Sequence, residues 1–273
     1  MNQAERRRFL IEALIDENPQ LVAARQAGEL CTPADADGQR GLLRSLMNVR
    51  PPRPLAPEVT RIQDEYLLAR LTERGGAVDA ATLPPVSADD PAISLWRGDI
   101  TTLAADAIVN AANSQALGCF VPCHHCIDNS IHTFAGMQLR EACEQELARR
   151  HAAGLGRELA TGDAFITGGF NLPACHVIHT VGPIVHGVSP TARNRDELAR
   201  CYRSCLELAT SCGLLSIAFC CISTGEFRFP AREAAEIAIA TVRNFIESSP
   251  SPLKVVFNVF TESDERIYRE LLG

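Results

Sequence analysis

Residues 118–132 read GCFVPCHHCIDNSIH, three cysteines and three histidines within fifteen positions. Thiolates and neutral imidazoles are the preferred ligands of a borderline-soft ion such as zinc, which gathers four donors in a tetrahedron. Cys119, His124 and Cys126 span eight residues, short enough to converge on one ion without closing a long loop. Three protein ligands would leave a fourth coordination position free, the mark of a catalytic rather than a structural site. Spacing alone leaves other sets open. Cys123 or His125 could replace a neighbouring ligand, and His132 could complete a structural tetrahedron. Cys123 with Cys126 also forms a C-x-x-C pair suited to thiol redox chemistry. Asp128, the nearest carboxylate in sequence, could orient or deprotonate a water at such an ion, or support a ligand by hydrogen bonding.

Other polar groups stand where strands give way to loops. Asp99, in GDI, could accept from an exocyclic amine such as that of adenine, or simply cap a turn. Asn110 and Asn113 flank two alanines, so both amides could face one pocket or satisfy turn backbone. Ser223, Thr224, Gly225, Glu226 and Phe227 link a strand to a helix beginning near Pro230. Gly225 could turn successive N–H groups toward an anion, with the helix dipole in support, which suits a diphosphate. Gly182, in HTVGP, could let backbone approach a ligand closely or serve only its turn. Cys201 and Cys205 on one helix face, and Cys220 and Cys221 in an apolar strand, read as small buried hydrophobes. His176, His179 and His186 read as structural, with His179 close to a ligand loop.

These positions need a scaffold. From residue 91 the chain alternates strand, loop and helix: AISLWRG and ADAIVNAA, then a helix over FAGMQLREACEQELARRHAAG, then GDAFITGG and CHVIHTVGP. RDELARCYRSCLELATSCG, AREAAEIAIATVRNFIES and SDERIYRELL follow as helices around the strands SIAFCCIS and LKVVFNVF. Continuous apolar strands between amphipathic helices predict a sheet covered on both faces, a three-layer α/β/α domain over residues 86–273 with loops at the strand ends holding the site. Residues 1–85 form a helical extension and linker. AERRRFLIEALIDE and PEVTRIQDEYLLARLTERGG read as helices, the stretch between them as loop, and GGAVDAATLPPVSADDP as a linker. The extension reads as a packing cap or interaction arm without chemistry of its own.

Composition narrows the function. A net charge of -7 argues against general attraction to nucleic acid, and an anionic ligand would have to be held by local dipoles. No apolar run spans a bilayer and the polar start is no secretory signal, so the expectation is a cytoplasmic protein whose 11 cysteines stay mostly as thiols.

Taken in order, GDIT, DAIVNAAN, GDAFIT, VIHTVGP and ISTGEFRFP resemble the macrodomain family, which binds ADP-ribose, over about residues 91–260. The insert GCFVPCHHCIDNSIHTFAG and the helical extension resemble its zinc-dependent subgroup, hydrolases that remove ADP-ribose from proteins. The resemblance implies a macrodomain with a central mixed sheet. It implies one Zn2+ per chain on Cys119, His124 and Cys126, matching the subgroup pattern C-x4-H-x-C. It implies an adenine end held by Asp99 and Ile100, a distal ribose at Asn113 with Asn110 shaping the loop, and a diphosphate wrapped by Ser223 to Phe227. Cys123 is not required by that pattern. The implied reaction is hydrolysis of the glycosidic bond between distal ribose and protein, with zinc aligning the sugar or activating water, Asp128 assisting, and Glu226 a further candidate. A reader module that binds without cleaving would carry the same ligand loops, but it needs no Lewis acid. The implied partners are ADP-ribose and a mono-ADP-ribosylated protein, suggested to be a lipoyl carrier modified by a sirtuin-like transferase.

Overall fold

Strands as apolar as AIVNAA require cover on both sides, and the chain supplies it. The computed structural model describes residues 1–248 and 252–273. Six strands form the central sheet: β2 (Ile93–Arg97), β4 (Ala107–Ala112), β5 (Ala164–Gly168), β6 (His176–Val181), β7 (Ser216–Phe219) and β8 (Lys254–Val259). Their order is β2-β8-β7-β4-β6-β5, parallel throughout except for the antiparallel edge pair β5–β6. Central β4 pairs with both neighbours, Ile108 opposite Val177 of β6 and Ala218 of β7. Ile108 and Val109 are fully buried, and each such side chain contributes roughly 1.5–3 kcal/mol by leaving water.

The helices α7 (Ala192–Ser211), α8 (Ala231–Ser248) and α9 (Glu262–Leu272) pack in series, and α5 (Ile127–Ala135) packs beside α6 (Gln138–Ala152). This is the expected mixed sheet flanked by helices. The single helix expected over 134–154 is broken: Gly136 takes φ +96°, ending α5 and letting α6 leave in a new direction. Cys201 and Cys205 of α7 are buried in the main core, as expected.

The extension holds more helix than expected. Between α1 (Gln3–Asp16) and α4 (Pro57–Glu73), the stretch expected to be loop contains α2 (Pro19–Gln26) and α3 (Ala36–Val49). Asp35 caps α3 by accepting from the Gly38 amide, and Leu43, Leu46 and Met47 bury its apolar face. With Leu10, Ile11, Leu14 and Ile15 of α1 and Ile62, Tyr66 and Leu67 of α4 they form a second hydrophobic core, to which Met137 is added from beyond β4. Tertiary burial thus overrides the weak intrinsic propensity of a segment carrying Gly38 and Gly41. The linker is packed as well. β1 (Val78–Asp79) pairs in parallel with β3 (Leu103–Ala104), and Ala80 is buried.

Candidate functional site

Parallel strands all end on one side of the sheet, so the loops that follow them meet there. A cleft of about 470 Å³ opens beyond the carboxyl ends of β2, β4, β7 and β8. Asp99, Ile100, Asn113, Cys119, His124, Cys126, Asp128 and Ser223 to Phe227 all border it. The residues implied for adenine, distal ribose, diphosphate and metal, with Asp128, are therefore brought to one place, while Asn110 and Gly182 lie outside the lining.

Cys119, His124 and Cys126 lie in the irregular loop between β4 and α5, with their donor atoms all within 4.8 Å of one another. Cys119 Sγ is 3.7 Å from His124 Nδ1. The other imidazole nitrogen, Nε2, faces Glu226 Oε1 at 3.5 Å. A carboxylate on the far nitrogen favours the tautomer that offers Nδ1 to a metal. Burial pushes the Cys126 thiol up to about 12, against a hydrogen bond from the Asn129 amide. Two sulfurs and one imidazole nitrogen within reach of one another are a donor set that fits a zinc ion, whose charge would be needed to hold Cys126 as thiolate.

The competing ligand sets do not form. The Cys123 thiol turns away, 3.4 Å from the Gly41 carbonyl it donates to and 3.2 Å from Ser45 Oγ. All 11 cysteines are free, and Cys123 is not paired with Cys126. His132 is buried and falls in a separate group with Cys143 and His179, beneath the cleft floor. His125, not favoured as a ligand, lines the cleft instead.

Asp128, in the first turn of α5, is 4% exposed. Asn110 does not share a pocket with Asn113 or shape its loop, contrary to expectation. It is wholly buried in β4, where Nδ2 donates to Asp128 Oδ1 at 2.8 Å and faces His179 Nδ1 at 3.2 Å. Thr167 Oγ1 in turn meets His179 Nε2 at 3.0 Å. Burial pushes the Asp128 carboxyl up to about 6, opposed by the Asn110 bond and the positive charge of Arg140. Burial pushes His179 down to about 3 and His132 well below its usual value, so both imidazoles are neutral. Asn113 closes its own loop, accepting from the Ala116 amide at 3.2 Å and donating to the Gly118 carbonyl at 3.4 Å.

Asp99 does two things at once. Oδ1 caps the turn at Ile100–Thr102 by accepting from the Thr101 amide at 3.0 Å, while Oδ2 accepts from Arg74 at 2.8 Å. Arg74, just past the end of α4, also stacks 3.5 Å over the Phe134 ring. Through Arg74 the extension thus touches one residue that borders the cleft. Ile100, 2% exposed, borders the cleft.

In the loop after β7 the left-handed residues are Ser223, at φ +67°, and Arg228, at φ +56°, not Gly225. Among the described residues the amides of Gly225, Glu226 and Phe227 donate to no backbone carbonyl, which leaves three N–H groups for an anion. Gly182 touches this loop instead of a ligand. A Cβ there would stand 2.0 Å from Ser223 Oγ and 2.9 Å from Ile222 Cγ2. Gly182→Ala is expected to lower stability by about 1–3 kcal/mol through overpacking, read as a lower midpoint in urea unfolding. Phe260, 75% exposed at the end of β8, and half-buried Cys221 also line the cleft. Cys221 was expected as a buried hydrophobe within a strand but lies past the end of β7, while Phe260 did not stand out and could have been found by asking which aromatic ends a parallel strand.

A family profile described as Macro domain matches residues 109–238. A Treponema medium protein named protein-ADP-ribose hydrolase is 51% identical over 273 residues, 100% of both chains. A Staphylococcus aureus (strain MSSA476) protein of the same name is 47% identical over 241 residues, 88% of this chain and 87% of that one. Among solved structures, the Trypanosoma brucei macrodomain in complex with ADP-ribose matches with a TM-score of 0.63 at 33% identity, over 84% of this chain and 95% of that one.

Proposed function

Because this chain belongs to the macrodomain family, we propose that it is a zinc-dependent hydrolase that removes mono-ADP-ribose from modified proteins, cutting at the distal ribose. The family relatives named protein-ADP-ribose hydrolase support hydrolysis of that substrate class. What carries the finer proposal is one cleft that holds both an ADP-ribose-sized space and an open-sided Cys119–His124–Cys126 cluster.

Each part of the cleft has a task. The Asp99 carboxylate accepts from the adenine amine, and the exposed Phe260 ring offers a stacking face for the base. Free amides at Gly225, Glu226 and Phe227 receive the diphosphate. Asn113 orients the distal ribose beside the metal loop. A bound zinc supplies a Lewis acid that polarises a ribose hydroxyl or a water. Asp128, held by Asn110, takes or returns a proton at its carboxylate near the scissile bond. Glu226 keeps the His124 ring in place. As substrate protein we propose a lipoyl carrier modified by a sirtuin-like transferase, on the resemblance of the metal loop alone. Free thiols throughout suit a reducing compartment such as the cytoplasm.

Incubation with a mono-ADP-ribosylated peptide should release free ADP-ribose with Zn2+ present and none after chelation. Tight binding of ADP-ribose without any release would make the protein a reader and end the proposal. Arg74→Ala is expected to raise KM about fivefold at unchanged kcat, because losing an oriented charge-assisted hydrogen bond is worth about 1 kcal/mol and lies far from the reacting sugar. Steady-state kinetics on the same peptide check this.

A further inference from the structure

Between β4 and α5 the metal loop has no helix or strand of its own, so contacts from elsewhere must give it shape. Several come from α3 of the extension. Asn48, 1% exposed, accepts from the Cys123 amide at 3.0 Å and donates to Thr133 Oγ1 at 3.1 Å. Arg44 donates to the His124 carbonyl at 3.1 Å and to Asn129 Oδ1 at 2.7 Å. Asn129 in turn gives its amide to Cys126 Sγ at 3.4 Å and its side chain to the Val121 carbonyl at 3.0 Å. The Cys123 thiol donates to the Gly41 carbonyl and lies 3.2 Å from Ser45 Oγ, both on α3.

Cys123 itself is held at φ +54°. A residue with a Cβ adopts that region only where its surroundings impose it. A turn over Pro122 and Cys123, closed by the His124 amide donating to the Val121 carbonyl at 3.2 Å, calls for it, and α3 holds that turn from outside through the Cys123 amide and sulfur. The next residue is His124, so the place of its ring follows from a backbone turn that α3 braces through Asn48 and Arg44.

We infer that α3 positions the metal loop, with Arg44 and Asn48 holding His124 and Cys126 at ligand spacing and thereby setting the affinity for the ion. This rests on Cys119, His124 and Cys126 being the metal ligands. Arg44 and Asn48 border no part of the cleft, so they are positioning residues acting through the loop. It also gives Cys123 a purpose: its thiol is an anchor to the extension and not a spare ligand.

The test uses the full chain, stripped of metal and titrated with Zn2+ against a chromophoric chelator. Arg44→Gln and Asn48→Ala are expected to weaken zinc about 10–100-fold, the usual range for groups that orient a ligand from behind. Arg44→Lys should recover part of the loss, and Asp37→Ala, exposed on the same helix, should change nothing. ADP-ribose binding to the metal-free variants, followed by calorimetry, should stay within about twofold of the parent, since adenine and diphosphate are held elsewhere. If these contacts only glue the extension to the domain, the variants will melt earlier yet keep parental zinc affinity. A folded Arg44→Gln protein with that affinity overturns the inference, and it decides alone should Asn48→Ala fail to fold. A parent chain that binds no zinc would instead bring down the metal assignment itself.

Discussion

His124→Ala is expected to abolish release of ADP-ribose from a modified peptide while leaving ADP-ribose affinity nearly intact. The imidazole is the central member of the Cys119–His124–Cys126 group, and without it two sulfurs remain for the ion. A Lewis acid contributes several kcal/mol of charge stabilisation at the transition state; about 4 kcal/mol corresponds to a factor of roughly 10³ in rate. The contacts expected for adenine and diphosphate come from Asp99 and from Ser223 to Phe227, on other strands, and do not depend on His124. Single-turnover release and calorimetric titration separate the two quantities. Full activity in the variant, or in chelated parent protein, would remove the ion from the chemistry.

Asp128→Asn is expected to lower kcat by about 10²–10⁴ with KM little changed, the range for removing a positioned acid–base group. The substitution keeps size and shape but leaves no site for a proton to come and go. Folding should survive because Asn110 can adapt. Its Oδ1 has no partner, so turning the amide over would present an acceptor to the new side-chain amide. Kinetics together with a thermal melt check both halves, and an unimpaired kcat would reassign Asp128 to structural support of the loop.

Much of this was readable in the residues. Runs such as SIAFCCIS and LKVVFNVF announce a covered sheet, and β7 and β8 fall within them. The convergence of Cys119, His124 and Cys126 was legible because the three are close in sequence. What escaped did so for physical reasons. The helix α5 is capped by the sulfur of Cys126, a residue type outside the usual capping set, and it is only nine residues long. The helix α3 was legible in principle, since Leu43, Leu46 and Met47 recur at helical spacing after the Asp35 cap, but Gly38 and Gly41 obscured it. Asn110 parted from Asn113 because β4 ends at Ala112, leaving the first in the strand and the second in the loop. The Arg74–Asp99 and Arg44–His124 contacts join residues far apart in the chain, and single-sequence periodicity carries no trace of such pairs.

Order of synthesis gives α3 a last consequence. Chains emerge amino end first and their units fold as they appear. The segment Ala36–Val49, packed on α1 and soon joined by α4, leaves the ribosome ahead of the loop carrying Cys119, His124 and Cys126. The template therefore exists before the part it shapes, and the nascent thiols meet a waiting surface instead of being free to capture an ion in some other geometry.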